Sequence, residues 1–533
     1  MDRGIGRWAT TQSRLIGDRL ALSDPDGELT FSAFEDRTNQ VANALLDLGV
    51  RRGDRVAVLL YNSIAFIELL FGTAKLGAIL VPINFRLQHA EVGYILADSG
   101  ADVFAYHESL AGVARRAQQE HGARVRHALL VDDPSTLPSA LQENASGQTS
   151  HAGAGAKTGT EEKGWKAVVA GASSRSLDMD VHLGDVHAIM YTSGTTGKPK
   201  GAMLTHANAL ANARNQLFSG LRPADTTVTA APMFHIGGLG VHSLPLVYLG
   251  GCSHIVPAFE PRSFLAAMAK HRVTVQFLVP AMWAALSQIP DFDSYDLSSL
   301  RMVLSGGAPT PLPLIEFFQS KGVPFQEGFG MTETSPGVSV LEEDRMKDKA
   351  GSIGRPLPEV ETRVVDANDR DVAGGQVGEL VLRGENIFAG YWMKPEATAE
   401  AFKGGWFHTG DLARVDDEGF ITLVDRKKDM IISGGENVYP VEVEQVLIRY
   451  PGMTEVAVFG VPDDKWGEMV VAAAAGADLD PARIIDFARS HMAHFKCPRR
   501  VEVVDALPRN ATGKVLKTTL RAKYGTGSAA VNR

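Results

Sequence analysis

Apolar and polar positions alternate through the first half of the chain in a repeated order. Val41, Leu45 and Leu48 fall on one face of a helical period. Ser32 and Glu35 stand before them at capping-box spacing, and Gly49 is placed to end the helix. Residues 55–60 then read as a short apolar strand, 63–76 as a helical run closed by Gly77, and 79–83 as the next strand. Recurrence of this unit predicts βαβ crossovers and a largely parallel sheet covered on both faces.

Two stretches break the rhythm. Residues 143–175 are rich in Gly, Ala, Ser and Thr and hold few large apolar side chains, which predicts a flexible excursion with little to bury. After the apolar strand 419–424 a charged cluster, 425–428, opens a different pattern: strands at 456–459, 470–473 and 500–504 and a helix at 481–492. The expected organisation is α/β, with a large N-terminal domain of layered βαβ sheets (1–425) and a smaller, mobile α+β lid (426–533).

Composition narrows the function. The chain has 533 residues, 44% hydrophobic and 22% charged, enough for several domains with ordinary cores. A formal charge of −9 spread over this length argues against a nucleic-acid binder. Cys252 and Cys497 provide neither a disulfide framework nor a CxxC spacing, so a reducing cytoplasm is expected. Residues 1–14 lack the apolar core of a signal peptide. The most apolar stretch, 56–83, is broken by Asn62, Glu68, Lys75 and Pro82, so no transmembrane segment is expected. Peripheral membrane contact stays open, as does the choice between monomer and homodimer. Gly4, Gly6 and Ala9 fit the spacing of a dinucleotide fingerprint, but no strand precedes them.

Candidate chemistry begins at Tyr191-Thr-Ser-Gly-Thr-Thr-Gly-Lys-Pro-Lys-Gly201, which follows the apolar strand 186–190. Thr192, Ser193, Gly194, Thr195, Thr196, Gly197, Lys198 and Lys200 make a polar loop whose N–H groups, hydroxyls and ammoniums suit a polyphosphate. It is not a Walker A loop, because Thr192 stands at the first glycine and Pro199 follows the lysine. By composition alone a plain Gly/Ser/Thr turn fits as well.

The whole string closely resembles the phosphate loop of the adenylate-forming superfamily, which holds acyl-CoA synthetases, firefly-type luciferases and peptide-synthetase adenylation domains. Four further strings resemble that family's motifs in its order: Gly328-Phe-Gly-Met-Thr-Glu-Thr334, Gly405-Trp-Phe-His-Thr-Gly-Asp411, Asp425-Arg-Lys-Lys-Asp-Met-Ile-Ile-Ser-Gly-Gly-Glu-Asn437 and Pro508-Arg-Asn-Ala-Thr-Gly-Lys514. The resemblance runs from about residue 25 to 523.

The resemblance implies an ATP-dependent acid–CoA ligase. An acid and ATP give acyl-AMP and pyrophosphate; CoA then takes the acyl group and releases AMP. It implies ATP, Mg²⁺ and CoA as cofactor and co-substrates, and Glu333 as the metal ligand. For the nucleotide it implies contacts from Gly307, Ala308 and Pro309, from Gly328, Phe329, Gly330, Met331 and Thr332, and from Asp411 and Arg426. Phe329 stands where the family often has tyrosine, so stacking on the base remains and a phenolic hydrogen bond is lost. Lys514 is implied to be the catalytic ammonium, although eight basic residues against two acidic between 496 and 523 also suit a solvated lysine.

For the second step the resemblance implies Lys428 as hinge and Ser433, Gly434, Gly435 and Glu436 beside the pantetheine arm. Trp466 and Lys496, with Arg499 and Arg500, form a basic patch that fits either the CoA nucleotide or plain solvation. Pro232-Met-Phe-His-Ile-Gly-Gly-Leu-Gly240 resembles the segment opening on the acyl site, with His235 as an aromatic gate that also reads as a core histidine. His235 and Thr192 join Lys514 and Glu333 as candidate catalytic residues. Ile236, Gly237 and Gly240 are candidate acyl contacts, and their glycines suggest a roomy channel. No aspartate lies between Ala231 and Gly251 to meet an α-amino group. The expected acid is a medium- or long-chain fatty acid. The alternatives are an aryl or alicyclic acid, an adenylate-forming enzyme that does not use CoA, and a non-catalytic relative.

Overall fold

The computed structural model describes residues 4–120, 124–131, 162–192, 198–308, 310–433, 436–463, 465–509 and 515–525. They fall into two compact units, one of residues 1–361 with 383–405 and one of 362–382 with 406–533. Packing thus divides the chain elsewhere than at 425. Asp411 and Asp425, expected in the large part, go with the smaller unit because their strands pair antiparallel with each other and with Gly378–Gly384.

In the large unit, a sheet of seven strands among the described residues runs Glu162–Gly164, His127–Val131, Val103–His107, Arg55–Leu59, Ile79–Pro82, Val186–Thr192, Lys200–Thr205. Every pairing is parallel except the last. Its central strands, Val103–His107, Arg55–Leu59 and Ile79–Pro82, are mostly apolar and buried, as covering on both faces demands. Helix Ile64–Leu76 follows the expected signals: the Ser63 hydroxyl accepts from Phe66 N at 3.3 Å, and Gly77 ends the helix at φ +72°.

A second sheet carries Val275–Leu278, Met302–Gly306 and Phe325–Gly330 in parallel, then Gly337–Leu341 and Arg355–Pro356 antiparallel. Its register sets Gly306 beside Gly328. A third sheet joins Thr226–Thr229, Cys252–Ile255, Leu20–Asp24 and Gly27–Thr30.

Two expectations fail here. The helix Phe31–Asp47 is capped by Thr30, whose hydroxyl accepts from Ala33 N, and not by Ser32 with Glu35. Glu35 lies inside the helix, buried against Lys75 Nζ at 2.7 Å. The excursion at 143–175 lies outside the described residues up to 161, but its last part is regular. Strand Glu162–Gly164 extends the large sheet, and Trp165 and Val169, one helical turn apart, are buried in helix Trp165–Ala170. Two large apolar side chains at that spacing suffice to pin the segment.

The smaller unit holds most of a sheet of Val360–Val365, Gly378–Gly384, Phe407–Val415 and Ile421–Arg426. A second sheet combines Glu436–Val438, Ile431–Ser433, Gly467–Gly476, Met453–Asp463 and Arg500–Val503. Side chains alternate across it: Val458 and Val470 pack with Val443 and Ile484, whereas Phe459 and Val471 pack with Leu507 and Leu520. Both faces are therefore covered by helices, as the apolar runs predict. No helix among the described residues is long and apolar enough to cross a membrane.

Candidate active site

An antiparallel pair of strands flanks the polar loop, with Tyr191 opposite Gly201 and Thr192 opposite Lys200. Ser193, Gly194, Thr195, Thr196 and Gly197 lie outside the described residues. The stem is fixed from below by Asp98. Tyr191 Oη donates to Asp98 Oδ2 at 2.8 Å, and Lys394 Nζ stands 3.0 Å from Oδ1. Burial and the Asp98 charge push the Tyr191 phenol far up, so it stays a donor. Lys198 Nζ lies 5.7 Å from the Tyr94 ring centre, and Lys200 Nζ 5.2 Å from that of Tyr391.

Glu333 lies in the single 3₁₀ turn Thr332–Thr334, held by Met331 N donating to Thr334 Oγ1 at 3.0 Å. Its carboxylate is buried and accepts from Tyr391 Oη at 3.0 Å. Tyr391 also pairs with Ala202, next to the loop stem.

Small residues serve close approach on the second sheet. A Cβ at Gly306 would lie 3.0 Å from Gly328 O, and one at Gly330 only 1.9 Å from Pro336 O. Gly307 takes φ +86°, a left-handed turn, and Ala308 is exposed; Pro309 lies outside the described residues. Phe329 is half-buried in the strand Phe325–Gly330, between Gly328 and Gly330. The turn closes on Glu327, which accepts from Thr310 N at 2.9 Å. Burial pushes that carboxyl up to about 7, against the pull of the Thr310 hydrogen bonds.

His235 caps the short helix Ile236–Gly240, and its ring tilts against Phe234 at 5.2 Å. Burial, with the Arg86 charge adding, pulls its pKa down to about 4, so the imidazole is neutral near pH 7. The glycines beside it do not open a wide channel. A Cβ on Gly238 would meet Pro232 O at 2.3 Å, and one on Gly240 would meet Pro336 Cδ at 2.7 Å. They let backbones pack closely. Gly237 is the least crowded of the three, though a Cβ there would still stand a tight 3.3 Å from the edge of the Phe277 ring.

In the smaller unit Asp411 and Arg426 face each other across paired strands, with Arg426 Nε 2.6 Å from Asp411 Oδ1. Asp425, next in line, accepts from Val441 N at 3.1 Å and is pushed up to about 6 by burial. Lys428 is exposed, while neighbouring Asp429 holds Arg521 Nη2 at 3.0 Å. Ser433 is buried and Glu436 exposed; Gly434, Gly435 and Lys514 lie outside the described residues.

The basic patch is less bare than its charge count. Lys496 pairs with Glu442 at 2.6 Å and Arg500 with Glu502 at 3.0 Å. Arg499 stacks on Trp466 with Cζ 4.0 Å from the ring centre. Sequence reasoning missed Tyr391, Asp98, Glu327 and Phe277. Of these, only Glu327 carried a signal, a charge inside an otherwise apolar strand.

Comparisons with known proteins identify the family. The family profile described as AMP-binding enzyme matches residues 10–392, and that of the AMP-binding enzyme C-terminal domain matches 442–514. The chain is 40% identical over 528 residues to a feruloyl-CoA synthase of Amycolatopsis sp, covering 98% of this chain and 100% of that one. It is 36% identical to the long-chain-fatty-acid–CoA ligase FadD13 of Mycobacterium tuberculosis, covering 98% and 99%. The solved anthranilate CoA ligase AuaEII with anthranoyl-AMP superposes with a TM-score of 0.86 at 29% identity, covering 98% of this chain and 97% of that one.

Proposed function

Because the chain belongs to the AMP-binding enzyme family, on the acyl-CoA synthetase branch of the adenylate-forming superfamily, we propose that it joins a carboxylic acid to CoA through an acyl-adenylate. In the first step a carboxylate oxygen attacks the α-phosphorus of ATP and pyrophosphate leaves. In the second the CoA thiol loses its proton, attacks the acyl carbon and expels AMP. The observation that carries this reading is the joint fixing of the phosphate-loop stem and Glu333 by one segment. Tyr391 pairs with Ala202 in the stem and donates to the Glu333 carboxylate at 3.0 Å.

Each residue then has a chemical task. The stem presents Lys198 and Lys200 to phosphate oxygens, and the ammonium of Lys514 meets charge that builds in adenylation. Phe329, with the Gly307–Ala308 turn, receives the adenine, and Asp411 accepts from the ribose hydroxyls. Glu333 fits a nucleotide-borne Mg²⁺. It is a hard oxygen donor, and no group of three or more His, Cys, Asp or Glu side chains that could cage a metal gathers among the described residues. When bound, the cation neutralises phosphate charge. Lys428, exposed beside the Asp429–Arg521 pair, is the pivot, and Ser433, Glu436, Trp466 and Arg499 serve CoA.

For the acid, the aryl reading is favoured. The Phe277 ring stands at Gly237, where it would flank an aromatic substrate, and relatives at 40% identity are named for ferulate. A fatty acid is the second reading, from the buried apolar cluster of Ala231, Val241, Phe277 and Leu304 and from FadD13. Purified protein is incubated with ATP and Mg²⁺ and a panel of aryl and fatty acids, with and without CoA. Pyrophosphate release for one acid class and its thioester on adding CoA are expected. Acyl-AMP that accumulates with no thioester overturns the CoA step. Lys514→Ala is expected to abolish adenylation and to spare thioester formation from supplied acyl-AMP; equal loss of both gives the lysine another role.

A further inference from the structure

Residues 386–392 form a strap that touches both parts of the phosphate site. On one side it extends the stem strand: Ala389 N donates to Met203 O at 2.9 Å, Met203 N to Gly390 O at 2.9 Å and Trp392 N to Gly201 O at 2.7 Å. On the other side it grips the Glu333 turn. Phe388 N donates to Glu333 O at 2.9 Å, and Asn386 Nδ2 to Thr334 O at 3.0 Å and Gly337 O at 2.9 Å. Tyr391 sits where these contacts converge. Its backbone N–H is held by Thr398 Oγ1 at 2.9 Å, and its ring packs edge-on to Phe388 at 4.9 Å. The phenol is thus fixed in place before it donates to Glu333 Oε1 at 3.0 Å.

We propose that Tyr391 is a positioning residue for Glu333. Its hydroxyl orients the carboxylate that receives the nucleotide-borne cation, and its ring ties that orientation to Lys200 in the loop stem. This rests on the reading of Glu333 given above. A hydrogen bond from a neutral donor to a carboxylate is among the stronger kind. A cation over the ring draws electron density from the phenol and makes the hydroxyl a better donor. The strap carries no charge of its own toward Glu333 through Tyr391, so the effect is one of orientation and not of neutralisation.

ATP binding is measured by calorimetry for wild type, Tyr391→Phe and Glu333→Ala, in EDTA and across a Mg²⁺ titration, with thermal melts for each. Tyr391→Phe keeps the ring and its packing. The expected result is a rise of about tenfold in the Mg²⁺ needed for half-maximal ATP binding, the size of one hydrogen bond to a charged group. Affinity in EDTA stays within twofold of wild type. A Mg²⁺ dependence identical to wild type overturns the proposal, and so does a loss equal in EDTA and Mg²⁺, which would mark a merely structural strap. If Glu333→Ala keeps the wild-type Mg²⁺ dependence, the metal reading of Glu333 falls and this proposal with it. If Glu333→Ala loses it while Tyr391→Phe does not, only the role of Tyr391 falls.

Discussion

Arg426 holds its Nε 2.6 Å from Asp411 Oδ1, across strands in which the two residues are direct partners. The carboxylate side is buried at 6% exposure, while the guanidinium is open to solvent at 33%. Such a pair aims the carboxylate at a cost that solvent partly screens. Asp411→Asn preserves the shape and removes the charge. ATP affinity is expected to fall about tenfold or more, as for a lost hydrogen bond to a charged group. Pyrophosphate release at varied ATP checks this; a change under twofold would remove Asp411 from the nucleotide site.

The Glu327 carboxyl links the turn at Thr310 to pH. Its folded value is raised to about 7 from an ordinary 4.5. A group raised in the folded state contributes stability in full below the unfolded value and loses it as pH climbs through the folded value. Between about pH 4.5 and 7 wild type should therefore lose stability relative to Glu327→Gln, by roughly 3 kcal/mol across the window. Melting temperatures of the two proteins from pH 5 to 8 test it. A difference that stays flat would mean that the acid ionises as in water.

Lys75 and Glu35 form a nearly closed pair, with Asn39 Oδ1 2.8 Å from the ammonium and Thr10 Oγ1 3.0 Å from the carboxylate. Truncating one partner strands the other charge inside the unit, which typically costs about 3–5 kcal/mol. Lys75→Ala should lower denaturant stability on that scale, and Glu35→Gln with Lys75→Met together should cost less than Lys75→Ala alone. If the double variant is the weaker, the pair itself stabilises the fold.

Much of this was legible in the residues. The crossover units around 55–82 follow from apolar runs bounded by Ser63 and Gly77, because caps and glycine turns act locally. The family was legible for a related reason: each motif that carries the resemblance is one short contiguous string. What escaped depends on partners far along the chain. Tyr391 meets Glu333 58 residues away, and Asp98 meets Tyr191 93 residues away. Neither has a local pattern. Glu35 was misread as a cap because Ser32 and Glu35 fit a local rule, while the stronger demand came from buried Lys75. The packing units do not follow the charged cluster near 425, because strand pairing groups Asp411 and Asp425 with residues 378–384.

The glycines beside His235 were read as room for the acid, and the geometry separates them. Gly238→Ala would drive a methyl group against Pro232 O, a backbone atom that cannot yield, at 2.3 Å. It should destabilise the large unit by about 1–3 kcal/mol, the usual scale of overpacking, whatever the substrate. Gly237→Ala places its methyl group 3.3 Å from the edge of the buried Phe277 ring, a tight contact that a shift of a few tenths of an ångström relieves, and should lower the melting temperature less than Gly238→Ala does. Its effect belongs to the acid. If the acid lies along this face, KM should rise several-fold for bulky aryl acids and little for short ones, with KM for ATP unmoved. Steady-state kinetics over a graded set of acids tests the contrast. An equal rise for every acid, or none, would place the acid elsewhere than against Gly237.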